Sequence, residues 1–451
     1  MVRGTPAQEG GDGPRTVGAT MGRRRKEWDV VTGVEIGTAA VKVVIGEVQE
    51  SGVVKLLGAG ERPTLETVMK GVVVDVAAVQ GPFHDALLDA EMEADELAQN
   101  IYLAVTGNHV AAAPSIGSAV VNAQEPHVSE SDREAALAVA WSYKLKDDRE
   151  PLHQIIRQFT VDGQEVENPV GQYGSRVEAD CLIIHGNAAR MQTLRGLIQD
   201  TFSSDEQEPK GLVFSGLAAG LGVLERDETE KGALVIDLGA GVTEFALFQG
   251  DDRCLFAGQV AVGCEHLAND LQLCLKLPLR RCRDLVRDPD LRAIMTDDDA
   301  ARLAEIDVGS GKPVRRVPMS LVEKIVQLRL EELFTGIRDD LVAAGMLGRI
   351  GFGIKLTGGG AQIPQATELA RQVFECPVVV GLPRQAIGRR EICGSPRFAT
   401  PFGLLRYGRL HLAQTAANGR GPLQQIAADA NTLLDLLGRR KFKKIFKAFN
   451  W

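Results

Sequence analysis

The sequence predicts an α/β chain made of two similar halves around a cleft, with a small α+β module set into the first half. Three observations predict it. A strand, a glycine turn and a second strand open the fold at residues 29–47, and the same pattern returns at 233–249, about 200 residues later. Residues 110–180 differ in kind, with short alternating strands around one helical stretch. A third glycine turn, Thr357-Gly358-Gly359-Gly360, follows a strand late in the chain. Repetition of a whole supersecondary unit is the mark of duplicated lobes.

Taken in order, 451 residues exceed what one core usually organises, so more than one domain is expected. Residues 1–27 read as a disordered arm rich in Gly, Pro and Thr, ending in Arg23-Arg24-Arg25-Lys26, a run suited to an anion contact or simply to solvent. A strand at 29–36, a tight turn at Gly37-Thr38, and strands at 40–47 and 53–60 form a meander. A helical pattern spans 77–95, and 101–106 is a buried strand. Strands at 118–121, 154–161 and 177–184 surround a helix at 129–141, followed by a helix at 187–200. The second half repeats the meander through 254–260. Helices follow at 263–275 and 319–346, with a polar, strand-poor segment between them. A strand at 352–356, a helix at 365–374 and a strand at 378–381 complete it. The expected division gives a first-lobe core at 28–107, continued by 187–231 and 400–411, with the insertion at 108–186. The second-lobe core occupies 232–270 and 350–399, and its subdomain 271–349. A linker at 412–432 leads to a terminal helix at 433–451.

Composition narrows the function. A net charge of −9 argues against a nucleic-acid partner and confines any attraction to anionic lipid to a local patch. The seven cysteines are dispersed without a CxxC pair, which argues against a disulfide framework or a structural zinc site. No stretch reaches the roughly 20 apolar residues that span a bilayer, and no signal peptide precedes the fold, so the chain is expected in the cytosol or on a membrane face that borders it.

The glycine turns carry the chemistry. Glycine lets a backbone come close to a phosphate, and successive N–H groups in such a turn form an anion nest. Gly37 and Thr38 in the first turn, and Gly239, Ala240, Gly241 and Thr243 in the second, are the candidate phosphate contacts, with both threonine hydroxyls as added donors. Lys42 lies four residues past Thr38, on the same strand face. Asp237 beside phosphate needs a cation, so its expected role is a water-mediated Mg²⁺ contact. Glu35 holds the matching position in the first turn, and these two acids are the candidate catalytic pair. Gly358, Gly359 and Gly360 suit flat packing against a ribose and base. Arg329 and Glu332 share a helix face and are either base and ribose ligands or a surface ion pair. There is no GxGxxG and no GxxxxGK[ST], which excludes the dinucleotide and Walker readings.

Together, Glu35-Ile36-Gly37-Thr38, Asp237 to Thr243 and Thr357 to Gly360 resemble the two phosphate loops and the adenosine loop of the actin–chaperone–sugar-kinase superfamily. The segment 262–270, with Gly263, resembles its second connecting helix. Within that superfamily, residues 28–411 resemble the FtsA family of bacterial cell-division proteins. The match runs through Gly33 to Ala39, Lys70-Gly71-Val72, Asn168-Pro169-Val170-Gly171, Phe214 to Ala218 and Pro401 to Gly408. The resemblance implies an actin-like fold with ribonuclease H-like duplicated lobes, and ATP with Mg²⁺ as cofactors. It also implies filament formation with further copies, contact with other division proteins, and binding of the C-terminal peptide of the tubulin-like protein FtsZ. By position that peptide falls on 271–349, where Arg280, Arg281, Arg283 and Lys324 are candidate contacts. It places the chain peripherally on the cytoplasmic face of the inner membrane, at the septum. Two departures stand out. Ala240 replaces a customary glycine, and residues 61–69 depart from the customary serine-, arginine- and glycine-rich turn.

The tail fits a membrane role on its own residues. On a helical wheel Phe442, Ile445, Phe446 and Phe449 share one side, while Arg440, Lys443, Lys444 and Lys447 lie on the other, and Trp451 closes the chain. A basic amphipathic helix with aromatics binds anionic membrane surfaces. The leading expectation is therefore a polymerising membrane adaptor for FtsZ. The alternatives are a pilus-assembly relative, which generally lacks such a tail, and a kinase or vigorous ATPase of the same superfamily. Slow hydrolysis supported by Glu35 and Asp237 stays open.

Overall fold

The computed structural model describes Met1 and residues 30–418, except 65, 203–208, 251–252, 288–302 and 307–313. The arm before Val30, the linker beyond Asn418 and the terminal helix, with all nine residues expected to meet the membrane, lie outside the described residues.

The first half opens with β1 (Val30–Ile36), β2 (Ala40–Val48) and β3 (Val54–Pro63), an antiparallel meander of nearly continuous Val, Ile and Ala. A small hairpin, β4 (Val68–Met69) with β5 (Val72–Val73), leads into α1 (Val76–Ala94). Asp75 caps α1 by accepting the Ala78 amide at 3.0 Å. β6 (Ile101–Val105) returns parallel to β1. α1 lies on β3 at close range because Gly58 and Gly60 have no side chains. A Cβ on either would overlap the Ala90 or Ala86 carbonyl.

The insertion follows at once: β7 (Ala111–Val120), α2 (Glu130–Trp141), β8 (Arg149–Val161), β9 (Gln164–Val166) and β10 (Arg176–Asn187). Its sheet runs β7-β10-β8-β9, all antiparallel, and α2 covers one face. β7 begins at Ala111, well before the expected Ser118. Three alanines and Pro114 hide it in the sequence, and an edge strand accepts a proline that a central one would reject. Leu152, Ile155, Leu182 and Ile184 reach past the module into the first-half core, and His153 Nε2 accepts the Phe214 amide at 2.9 Å.

α3 (Ala188–Thr201), β11 (Gly211–Phe214), α4 (Ser215–Val223) and α5 (Arg226–Lys231) lead to the second half. There β12 (Ala233–Leu238), β13 (Thr243–Gln249) and β14 (Arg253–Val260) form the second meander, followed by α6 (Cys264–Leu275). The segment expected to be polar and strand-poor holds α7 (Leu279–Arg287) and the hairpin β15 (Leu303–Ile306) with β16 (Arg315–Pro318). Leu279, Cys282, Leu285 and Val286 form the inward side of α7, and its five charged residues masked that stripe in the sequence. α8 (Met319–Ala343), β17 (Gly353–Thr357), α9 (Ala366–Phe374), β18 (Val378–Val380), β19 (Ala386–Ile387), α10 (Arg390–Cys393) and α11 (Ala399–Asn418) complete the described chain.

The two large sheets have matching plans. One runs β3-β2-β1-β6-β11, with β19 added beyond β3, and the other β14-β13-β12-β17-β18. In each, three antiparallel strands are followed by two parallel ones. α11 and α4 lie between the sheets at a spacing that only small residues permit. A Cβ on Gly403 would fall on the Ala218 carbonyl, and one on Gly222 on the Ala399 carbonyl. Gly403→Ala is therefore expected to destabilise the chain by about 1–3 kcal/mol through overpacking, seen as a lower denaturant midpoint at unchanged slope.

Candidate functional site

The two glycine turns close in the same way. The Gly37 amide donates to the Ala40 carbonyl at 3.0 Å, and the Gly239 amide to the Val242 carbonyl at 3.1 Å. They face each other with little space between. A Cβ on Gly241 would strike Thr38 Oγ1 and the Lys70 backbone. The β4–β5 hairpin fixes Thr38, because the Gly71 amide donates to its hydroxyl oxygen at 2.9 Å and the Thr64 hydroxyl donates to its carbonyl at 2.7 Å. The third turn completes the ring. Gly358 has φ +79°, which favours glycine, and a Cβ there would overlap Asp237 Oδ1. The N-terminus of α6 rests on the second turn, with the Cys264 and Glu265 amides donating to the Gly239 and Ala240 carbonyls.

These elements enclose a cavity of about 530 Å³. Glu35, Gly37, Thr38, Lys42, Asp237, Gly239, Ala240, Gly241, Gly358, Gly359 and Gly360 all line it. Two equivalent cross-strand pairs lie at its floor. Glu35 sits opposite Lys42 in the first meander, and Asp237 opposite Glu244 in the second. Lys42 Nζ meets Glu35 at 3.0 Å. On the other side two carboxylates face each other's field. Burial first, then the charge of Glu35, pushes the Asp237 carboxyl up from its ordinary value, while the Thr400 hydroxyl, donating at 2.8 Å, holds it back. Burial, then Asp237, pushes Glu244 up further, and Thr106 donates to it. At this floor Glu35, Asp237 and Glu244 face Lys42, while Arg283, Arg287 and Arg397 line the cavity elsewhere.

Two family models match the chain. One, described as the SHS2 domain inserted in FtsA, covers residues 107–185, and the other, described as cell division protein FtsA, covers 234–403. The chain belongs to the FtsA family. It is 29% identical over 397 residues to the cell division protein FtsA of Escherichia coli K12, covering 84% of this chain and 90% of that one. Identity to the FtsA of Pseudomonas aeruginosa is 26% over 380 residues, covering 84% and 89%. Among solved structures, the PilM–PilN type IV pilus biogenesis complex matches with a TM-score of 0.58 at 16% identity, covering 84% of this chain and 98% of that chain. MreB5 of Spiroplasma citri bound to ADP matches with a TM-score of 0.50 at 14% identity, covering 86% and 99%. The fold is thus mixed α/β and close to that of actin-like proteins.

Four of the residues expected at the site, Thr243, Gly263, Arg329 and Glu332, stand apart from the cavity lining. Thr243 is fully buried, and its hydroxyl donates to the Val262 carbonyl at 2.8 Å, so that hydroxyl ties down the loop before α6. Gly263 lies behind the second turn, where a Cβ would meet the Gly239 and Ala240 carbonyls. Arg329 grips Asp270 of α6 with two bonds of 2.6 and 2.9 Å and pairs with Glu332 at 2.7 Å. That bidentate pair ties α8 to α6. Glu265, Arg283, Arg287 and Gln362 are among the other polar residues that line the cavity. Arg283, expected on a peptide-binding surface, pairs with Glu265 at 2.7 Å and Glu66 at 3.3 Å. Glu66 and Glu61, which pairs with Arg397, both belong to the divergent stretch 61–69, so the altered loop bridges to the second half. Sequence reading also passed over Glu244, although its position repeats that of Lys42 in the duplicated hairpin.

The raised Glu244 sets a pH dependence. The folded chain holds that proton more tightly than the unfolded chain, so its contribution is greatest below the ordinary value of 4.5 and is lost as pH rises through the raised one. Thermal unfolding without nucleotide should show a declining limb in that window, with a slope of up to about 1.4 kcal/mol per pH unit. Glu244→Gln should flatten the limb and raise the midpoint at neutral pH.

Proposed function

We propose that the chain is an ATP-binding, polymerising actin-like protein that tethers the FtsZ ring to the cytoplasmic membrane and helps recruit the division machinery. The observation that carries the nucleotide reading is the meeting of the two glycine turns, with Gly358 closing the ring above Asp237. The matched sheet plans support reading the halves as duplicated ribonuclease H-like lobes, with the cavity between them. Apex amides of the two turns take the phosphates, with Lys42 as a charge partner. Gly358 to Gly360 pack on the nucleoside, and Arg283, Arg287 and Glu265 supply the polar edge of that pocket.

Mg²⁺ fits the same floor. Among the described residues no three His, Cys, Asp or Glu side chains group closely enough to cage a metal. Magnesium held by phosphate oxygens and waters needs no cage, only nearby carboxylates to accept from the waters. Asp237, with Glu35 and Glu244, provides them. The bound ion would neutralise phosphate charge, and Glu35 and Asp237 would orient water, which is a machinery for slow hydrolysis rather than rapid turnover.

Arg280, Arg281, Arg283 and Lys324 remain the proposed contacts for the acidic FtsZ peptide. Arg280 and Lys324 are exposed, while Arg281 pairs with Asp284 at 3.6 Å. Among the described residues no helix is long and apolar enough to cross a membrane. Attachment is assigned, on the amphipathic pattern of the sequence, to 433–451, with Phe442, Ile445, Phe446, Phe449 and Trp451 inserting and Arg440, Lys443, Lys444 and Lys447 meeting lipid phosphate.

Asp237→Asn is expected to weaken the Mg²⁺-dependent part of ATP affinity while leaving Mg²⁺-free binding in place, read by titration of a fluorescent nucleotide. Equal loss in both conditions would remove the metal role. Deleting 433–451 should abolish co-pelleting with anionic liposomes yet retain nucleotide and FtsZ-peptide binding. Undiminished pelleting would overturn the tail assignment.

A further inference from the structure

The basic run before the fold has no part in the reading above, and the surface beside its exit is unusual. α1 ends in a face that is both apolar and acidic. Leu88 and Met92, one turn apart, are 41% and 72% exposed, and Leu97, just past the helix, is 71% exposed. Residues 85–100 hold six acids, Asp85, Asp89, Glu91, Glu93, Asp95 and Glu96, and no lysine or arginine. Among the described residues Arg62 pairs with Asp89 and Arg389 with Glu93, while Glu91 and Glu93 also accept the Ala98 and Ala59 amides. The last turn of α1 holds no basic residue, so its negative dipole end lacks the usual compensation.

The point where the arm leaves the fold lies against the same loop. Asn100 Nδ2 donates to the Val30 carbonyl at 2.9 Å, and the Gln99 amide donates to Thr32 Oγ1 at 3.2 Å. Trp28 stands two residues before Val30, and Arg23 seven, a reach of at most about 25 Å. The segment 21–28 carries four basic residues, one acid and one tryptophan. Its composition is complementary to the face, and its tether keeps it at high local concentration there.

We propose that Arg23 to Trp28 dock on the C-terminal end of α1, Trp28 covering Met92 and Leu97 while the basic run faces the acids around Asp95. The apolar cover supplies the burial, and the charges fix direction and make the contact salt-sensitive. The occupant is thus the chain's own arm, and its basic run is held against protein rather than lipid.

The test uses the full chain with Trp141→Phe and Trp451→Phe, leaving Trp28 as sole reporter. Its emission should lie to the blue of that of a free 21–29 peptide, and tryptic cleavage at residues 23–26 should be at least about tenfold slower, equivalent to about 1.4 kcal/mol. The exposed pair Met92→Ser and Leu97→Ser should abolish both effects without changing the unfolding midpoint. Glu91→Gln with Asp95→Asn and Glu96→Gln should weaken them, as should high salt. Peptide-like emission and cleavage in the parent chain would overturn the proposal. So would a blue shift that arises only with anionic vesicles, which assigns the run to lipid, or only at high protein concentration, which assigns the face to a second copy.

Discussion

The structure depends on an absence of side chains where its two halves meet. Gly241 faces Thr38 and Lys70 with no room for a Cβ, and Gly358 leaves the space that Asp237 occupies. Glycine costs conformational entropy, so such positions persist only where close backbone approach is worth more than that cost. Here the return is a ring of peptide dipoles around one cavity, formed from segments about 200 and 120 residues apart. The β4–β5 hairpin and the N-terminus of α6 hold the turns from outside, so the ring is set by hydrogen bonds rather than by a ligand.

That ring is electrostatically incomplete alone. The duplicated register places Lys42 in one half where Glu244 stands in the other, so the repeat is symmetric in backbone and asymmetric in charge. One wall neutralises its own acid, and the other accumulates two. Protonation or a divalent cation can relieve the second wall, and only the cation does so without giving up the carboxylates as water acceptors. Thr400 and Thr106 contribute on the same side by donating to Asp237 and Glu244.

Much of this was legible in the residues. The strands of both meanders and the three glycine turns follow from strong local signals, apolar runs broken by glycine. The reading failed where the signal was not local. α7 is helical at Leu279, Cys282, Leu285 and Val286, yet its charges read as a polar segment. β7 is disguised by alanines and by Pro114, and only its place at a sheet edge explains the proline. Arg329 and Glu332 were rightly placed on one helix face, but which cavity that face meets depends on how α8 crosses α6, and Asp270 takes the arginine first. Thr243 shows the same limit, because a hydroxyl in a phosphate-loop pattern can equally close a loop behind it. The linker and terminal helix lie outside the described residues and rest on the sequence.

α11 begins and ends in different parts of the mechanism. Its first turn gives Thr400 to Asp237, its middle carries Gly403 against α4, and further along His411 Nδ1 lies 2.8 Å from the Tyr102 hydroxyl. Twenty helical residues make a rod about 30 Å long. A rod has one tilt, so a rotation felt at Asp237 is carried, undiminished in angle, to its far turns. The helix thus works as a single strut, so a shift at Thr400 and a shift at His411 are one movement and not two.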